Sequence, residues 1–243
     1  MKVAPDIYRL TQGVSNFYLV EDGGKLTLVD AGAPGDWNQL VGEVAVLGRD
    51  LVDLEAVLLT HAHSDHVGFA ERARTAAGSS VWVHEADAKV AKTAKVGKTD
   101  GKVTPYLFKA ELYRTVFILL RRGGIKIVPV REVSTFADGE TLGLPGRPRV
   151  VHLPGHTPGM SALFLEDRGV VLTGDALVTR NPLTGRRGPQ IAPSGFNTDT
   201  NQAMRSLDTL GGVTADLVLP GHGEPWTEGV AEAVRLAKLA GRS

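Results

Sequence analysis

Seven consecutive residues, Thr60-His61-Ala62-His63-Ser64-Asp65-His66, follow directly on the apolar run Ala56-Val57-Leu58-Leu59, and no other stretch restricts the fold as strongly. A short apolar run of this kind reads as a buried strand. Alternate side chains of a strand share a face, so His61 and His63 leave it on the same side. Asp65 and His66, at the expected start of a helix, approach from another direction. Four donors therefore crowd into six residues. The chain has no cysteine, and imidazole with carboxylate is the donor set expected for zinc, manganese or iron where no thiolate is at hand.

Three further donors stand in matching places: His156 after Leu153-Pro154-Gly155, Asp175 after Leu172-Thr173-Gly174, and His222 after Leu219-Pro220-Gly221. Each follows an apolar run and a glycine, and in layered α/β proteins ligands gather beyond the carboxyl ends of strands. Five of the seven histidines fall in this pattern, which surface or core use explains poorly. A catalytic zinc takes about three protein ligands and keeps a position open, so seven candidates imply two ions. His61, His63 and His156 are assigned to one ion and Asp65, His66 and His222 to the other, with Asp175 bridging.

The rest of the chain reads as alternating elements. Strands are expected at 16–20, 26–29, 56–59, 81–83, 149–153, 161–165, 170–172 and 217–219, and helices at 36–47, 66–77, 85–96, 199–210 and 228–240. This order predicts an α/β layered chain. With 243 residues, 42% of them hydrophobic, and neither repeat nor low-complexity linker, a single domain is expected over 1–243, with a helical insert at about 95–124 and a long loop at 178–197. Lys plus Arg (27) balance Asp plus Glu (27), so no molecule-wide field would gather nucleic acid. No signal-like or membrane-spanning apolar run is read, and a cytoplasmic location is the default expectation.

With its HxHxDH stretch from His61 to His66 and the later His156, Asp175 and His222, the chain resembles the metallo-β-lactamase superfamily from about Ile7 to the final helix. The resemblance implies a four-layer αββα sandwich with two metal ions, zinc first and manganese or iron as alternatives, at one edge between the sheets. It implies that Asp30, ending a strand before Ala31-Gly32, supports a ligand from behind; Thr60 does the same or bonds locally. The expected activity is hydrolysis of an ester, lactone, thioester or similar bond by a hydroxide bridging the two ions, with Asp65 orienting the water or relaying its proton. The rivals are an oxidoreductase like the single-iron persulfide dioxygenases, a phosphodiesterase or nuclease of the same fold, and a non-enzymatic binding module. A small-molecule substrate is expected, nucleic acid is not, and a homodimer is allowed for.

The insert carries its own signal. From Lys89 to Lys126 there are ten Lys or Arg residues against Asp100 and Glu111, an excess of 10 − 2 = +8. Tyr106, Phe108 and Tyr113 are expected to wall a substrate pocket, or else to belong to a helical pair with a solvated basic face. Arg186 and Arg187 are placed at the mouth of the same pocket. His84 and His152 are read as structural.

Overall fold

The structure, a computed structural model, describes residues 1–11 and 13–242. In chain order the first half forms β1 (Lys2–Ala4), β2 (Ile7–Thr11), β3 (Asn16–Asp22), β4 (Lys25–Val29), α1 (Trp37–Val46), β5 (Leu54–Leu59), α2 (Ser64–Val67), α3 (Ala70–Ala77), β6 (Ser80–His84), α4 (Ala88–Thr93), α5 (Ala110–Arg122) and β7 (Ser134–Phe136). Its seven strands lie side by side in sequence order, antiparallel from β1 to β4 and parallel from β4 to β7. The second half forms β8 (Arg149–His152), β9 (Ser161–Leu165), β10 (Val170–Gly174), β11 (Val178–Arg180), β12 (Arg187–Gln190), α6 (Thr200–Gly211), β13 (Leu217–Pro220) and α7 (Gly229–Ala240). Here the sheet order is β13-β10-β9-β8, and β11 pairs with β12 in a separate ribbon.

Period-two alternation explains the layering. In the first sheet Leu19, Leu28, Val57 and Leu59 face one way and pack on Trp37, Leu40 and Val44 of α1 and on Ala70 and Ala73 of α3. Their neighbours Tyr18, Val20, Val29 and Leu58 face the other way and meet Leu163, Leu165, Val170 and Leu172 of the second sheet. The far side of that sheet, with Phe164, Val171 and Val218, is covered by Leu207 and Leu210 of α6 and Val230 and Val234 of α7. Each such buried Leu, Val or Phe contributes about 1.5–3 kcal/mol relative to exposure. The result is helix, sheet, sheet, helix: the four-layer αββα sandwich that the resemblance implied.

Departures from the sequence reading have physical causes. The helix expected at 66–77 is interrupted between α2 and α3, where the Gly68 amide bonds to Gly32 O at 2.9 Å. A Cβ on Gly68 would come within 2.2 Å of that oxygen, so only glycine allows the approach. The helix expected at 85–96 is a short 3-10 turn followed by α4, which stops where Ala94 turns left-handed (φ 57°). β1, β2 and β7 went unread, and the loop at 178–197 contains the β11–β12 ribbon. Among the described residues no helix is long and apolar enough to cross a membrane.

Candidate metal centre

The seven candidate donors meet at one edge, beyond the carboxyl ends of β5, β10 and β13. His61 and His63 leave β5, Asp65 and His66 lie on α2, His156 follows β8, and Asp175 and His222 follow β10 and β13. His61, His66, His156, Asp175 and His222 are each at most 5% exposed. Three groups have ligand atoms within 4.8 Å of one another: His61, His63 and His156; His61, His66 and Asp175; and Asp65, His66 and His222. Asp175 stands among them, with Oδ2 3.4 Å from His156 Nε2 and 3.1 Å from His222 Nε2, and Oδ1 3.5 Å from His66 Nε2. Tetrahedral nitrogen ligands about 2.0–2.1 Å from a zinc ion lie roughly 3.3 Å from one another, so the spacing suits a metal.

Four of the five rings are tied down from behind. His66 Nδ1 lies 2.8 Å from Asp30 Oδ2, His156 Nδ1 2.8 Å from Asn197 Oδ1, His222 Nδ1 2.8 Å from Val14 O, and His61 Nδ1 3.0 Å from Thr60 Oγ1. A carbonyl or carboxylate oxygen can only accept, so the first three rings carry their proton on Nδ1. Thr60 donates its own hydroxyl proton to Asp30 at 2.8 Å, which leaves its oxygen to accept from His61. All four Nε2 atoms therefore point inward. Those of His61, His66 and His156, with Asp175 Oδ1, are buried without a hydrogen-bond partner. Buried polar atoms are rarely left so, and here the missing partner is what a cation supplies.

Charge is balanced within the cluster. Burial holds the His61 and His63 imidazoles well below their usual pKa and lowers that of His156. Burial acts the same way on His66, but the carboxylates of Asp175, Asp65 and Asp30 outweigh it and raise that ring to about 10. Burial opposes the charged form of His222 as well, and there Asp175 with Asp65 outweighs it, so that ring is raised too. For Asp175 the signs reverse: burial would raise the carboxyl, and His222 and His66 hold it well below its usual range.

Two backbone features fit the loops to the site. Asp30 adopts a left-handed conformation (φ 60°), uncommon outside glycine, and thereby turns its carboxylate onto Thr60 and His66. A Cβ on Gly221 would lie 2.2 Å from Asp175 Oδ1, so glycine before His222 keeps room for the shared carboxylate. Asp87, just beyond β6, accepts from Ala62 N, Thr157 Oγ1 and Gly159 N and so joins the loop of His61 to that of His156.

Residues 10–222 match the sequence profile of the metallo-beta-lactamase superfamily. This chain belongs to that superfamily. Probable metallo-hydrolase YflN of Bacillus subtilis (strain 168) is 27% identical over 235 residues, which cover 93% of this chain and 87% of the relative. Among solved structures, the metallo-beta-lactamase family protein TTHA1429 from Thermus thermophilus superposes with a TM-score of 0.70 at 25% identity, over 98% of this chain and 80% of that one. TTHA1623, solved in a di-iron-bound form, gives a TM-score of 0.63 at 28% identity over 93% of this chain and 96% of that one. The cluster is thus a candidate His/Asp metal site in a metallo-hydrolase superfamily.

A cavity of about 660 Å³ opens over the cluster in this superfamily member. His63, Asp65, His156, Asp175 and His222 form its floor. The walls are apolar: Leu112, Val116 and Leu119 of α5 on one side, Val14, Leu183 and Phe196 on others. Tyr106, Phe108 and Tyr113, expected to wall this pocket, are not among its lining residues; Phe108 is 96% exposed. For Tyr113 the expectation picked the wrong stripe of α5. Arg186 is exposed and reaches Ala240 O, and Arg187 lines a separate cleft with Arg180, Glu224 and Trp226, so neither arginine is at this mouth. His84 and His152 stack on each other at 4.0 Å, away from the seven donors.

Sequence reasoning did not find Asn197, Val14 or Asp87. Val14 acts through its backbone carbonyl, which no side-chain pattern reveals, and Asn197 lies in an irregular loop. Asp87 carried a weak signal, an acidic residue just beyond a strand in the manner of Asp30.

Proposed function

We propose that this protein is a metal-dependent hydrolase holding two divalent ions, one on His61, His63 and His156 and one on Asp65, His66 and His222, with Asp175 shared. The observation that carries this reading is that the Nε2 atoms of His61, His66 and His156 and one Asp175 oxygen are buried without partners while the Nδ1 atoms of the same three rings are anchored. Such ions polarise the oxygen of an ester, lactone, thioester or similar bond and lower the pKa of water from about 15.7 toward about 7.

The chain's own residues do the rest. Asp65, half-buried on the cavity floor with Oδ2 3.6 Å from His222 Nε2, orients the attacking water or accepts its proton. The apolar walls take the apolar part of a small-molecule substrate and exclude water. All-nitrogen-and-oxygen donors favour zinc first, with manganese an alternative; the di-iron form of TTHA1623 makes iron the other alternative.

The test is a panel of ester, lactone, thioester and phosphodiester substrates, run before and after chelation and after adding back zinc, manganese or iron. Activity should disappear with the chelator and return with metal, and His61→Ala and Asp175→Ala should lose metal and activity together. Turnover indifferent to chelation would overturn the reading, as would one iron per chain with oxygen consumption.

A further inference from the structure

Nine of the thirteen exposed large hydrophobic side chains among the described residues fall between Val96 and Val128. Phe108 is 96% exposed, and Tyr113, Phe117 and Leu120 are each more than half exposed. On α5 the last three are spaced i, i+4, i+7 and form one stripe, next to the stripe of Leu112, Val116 and Leu119 that walls the cavity. A single exposed leucine needs no account, but a contiguous aromatic surface does.

From Val96 to Val128 there are seven basic residues against two acidic ones, in a chain whose formal net charge is zero. Arg121 flanks the apolar stripe, its guanidinium 5.7 Å from the Phe117 ring. An apolar, aromatic helix face bordered by Lys and Arg suits a layer with an anionic surface and an apolar interior. A second copy suits it poorly, because a two-fold contact would set one basic excess against another. Val96, Val116 and Ile125 are exposed and also line the cavity, so the patch surrounds its mouth.

We propose that the outer face of α5, together with Leu107 and Phe108 before it, is a docking surface for an anionic lipid bilayer. Docking there sets the cavity mouth against the bilayer, from which an amphiphilic substrate can enter. The proposal goes beyond the hydrolase reading, and vesicle binding is measured without turnover.

The experiment is co-sedimentation with vesicles of phosphatidylcholine alone and of phosphatidylcholine mixed with phosphatidylglycerol. Binding should be roughly tenfold or more stronger to the mixed vesicles and should weaken in high salt. The variant Phe108→Ser/Phe117→Ser/Leu120→Ser changes only exposed positions and should keep the circular dichroism of the native protein while losing roughly tenfold or more in binding. In a Phe117→Trp variant, fluorescence in excess of the native protein's should shift to the blue on vesicles and be quenched by brominated acyl chains. Equal binding to both vesicle types, or emission from the Phe117→Trp variant that stays unshifted on vesicles, would overturn the proposal. So would a dimer that the triple variant dissociates while vesicles bind neither protein.

Discussion

Asp30 accepts three hydrogen bonds, from Thr60 N, Thr60 Oγ1 and His66 Nδ1, each at 2.8 Å. Through them one buried carboxylate sets the orientation of two rings, His66 directly and His61 by way of the Thr60 hydroxyl. Asn keeps the shape and tolerates the left-handed backbone, but its amide turns one acceptor into a donor that must face one of those three donors. Asp30→Asn should therefore leave the protein folded and weaken metal binding by roughly 10–100-fold in chelator competition; unchanged affinity would show that Asp30 only closes a turn. The neighbouring donors were legible because His61 to His66 are contiguous and the periods of strand and helix say where each points. Asn197 and Val14 were not, since their role depends on where distant loops land.

At the scale of elements, α5 decides the shape of the cavity. It is fastened at three places: Glu111 to Arg180 at 2.8 Å, Thr115 Oγ1 to Pro182 O at 2.6 Å, and Arg122 to Asp36 at 2.6 Å. Its sequence offers two neighbouring apolar stripes, and periodicity cannot say which one turns inward. The fastenings choose Leu112, Val116 and Leu119, which is why Tyr113 was misplaced by sequence reasoning. With a soluble ester substrate, Leu112→Ala and Leu119→Ala should raise KM several-fold with little change in kcat, since they remove contact made equally in the ground and transition states; Tyr113→Ala should leave both constants alone. A rise in KM for Tyr113→Ala equal to the others would mean that the outer stripe reaches the substrate. Continuous apolar runs such as those of β3 and β5 were legible, whereas β1 and β7, three residues each, are too short to stand out.

Across the whole molecule, two sheets converge so that loops from both halves of the chain share one charged cluster inside an apolar sandwich. This makes stability depend on pH. The folded pKa values of His61, His63 and His156 lie below the unfolded value of about 6.5, so as pH falls through that value the unfolded chain takes up protons that the folded chain refuses. Protein stripped of metal should lose stability from about pH 7 to 5. His66 and His222 have the opposite sign: their contribution is complete below about 6.5 and fades as pH rises, for His66 toward about 10. The urea midpoint of stripped protein should thus decline on both sides of neutrality. Zinc uptake at about pH 7 to 8 should also release protons from these two rings, seen by calorimetry in buffers of different ionisation enthalpy. A flat stability profile with no proton release would contradict this balance of charge within the cluster.

The central claim, that seven side chains from position 61 to 222 hold two divalent ions, is tested most directly by metal content. Elemental analysis of reconstituted, dialysed protein should find two ions per chain, and fewer in Asp175→Ala, which removes the shared ligand. No retained metal, or two ions retained in both Asp175→Ala and His61→Ala, would contradict it.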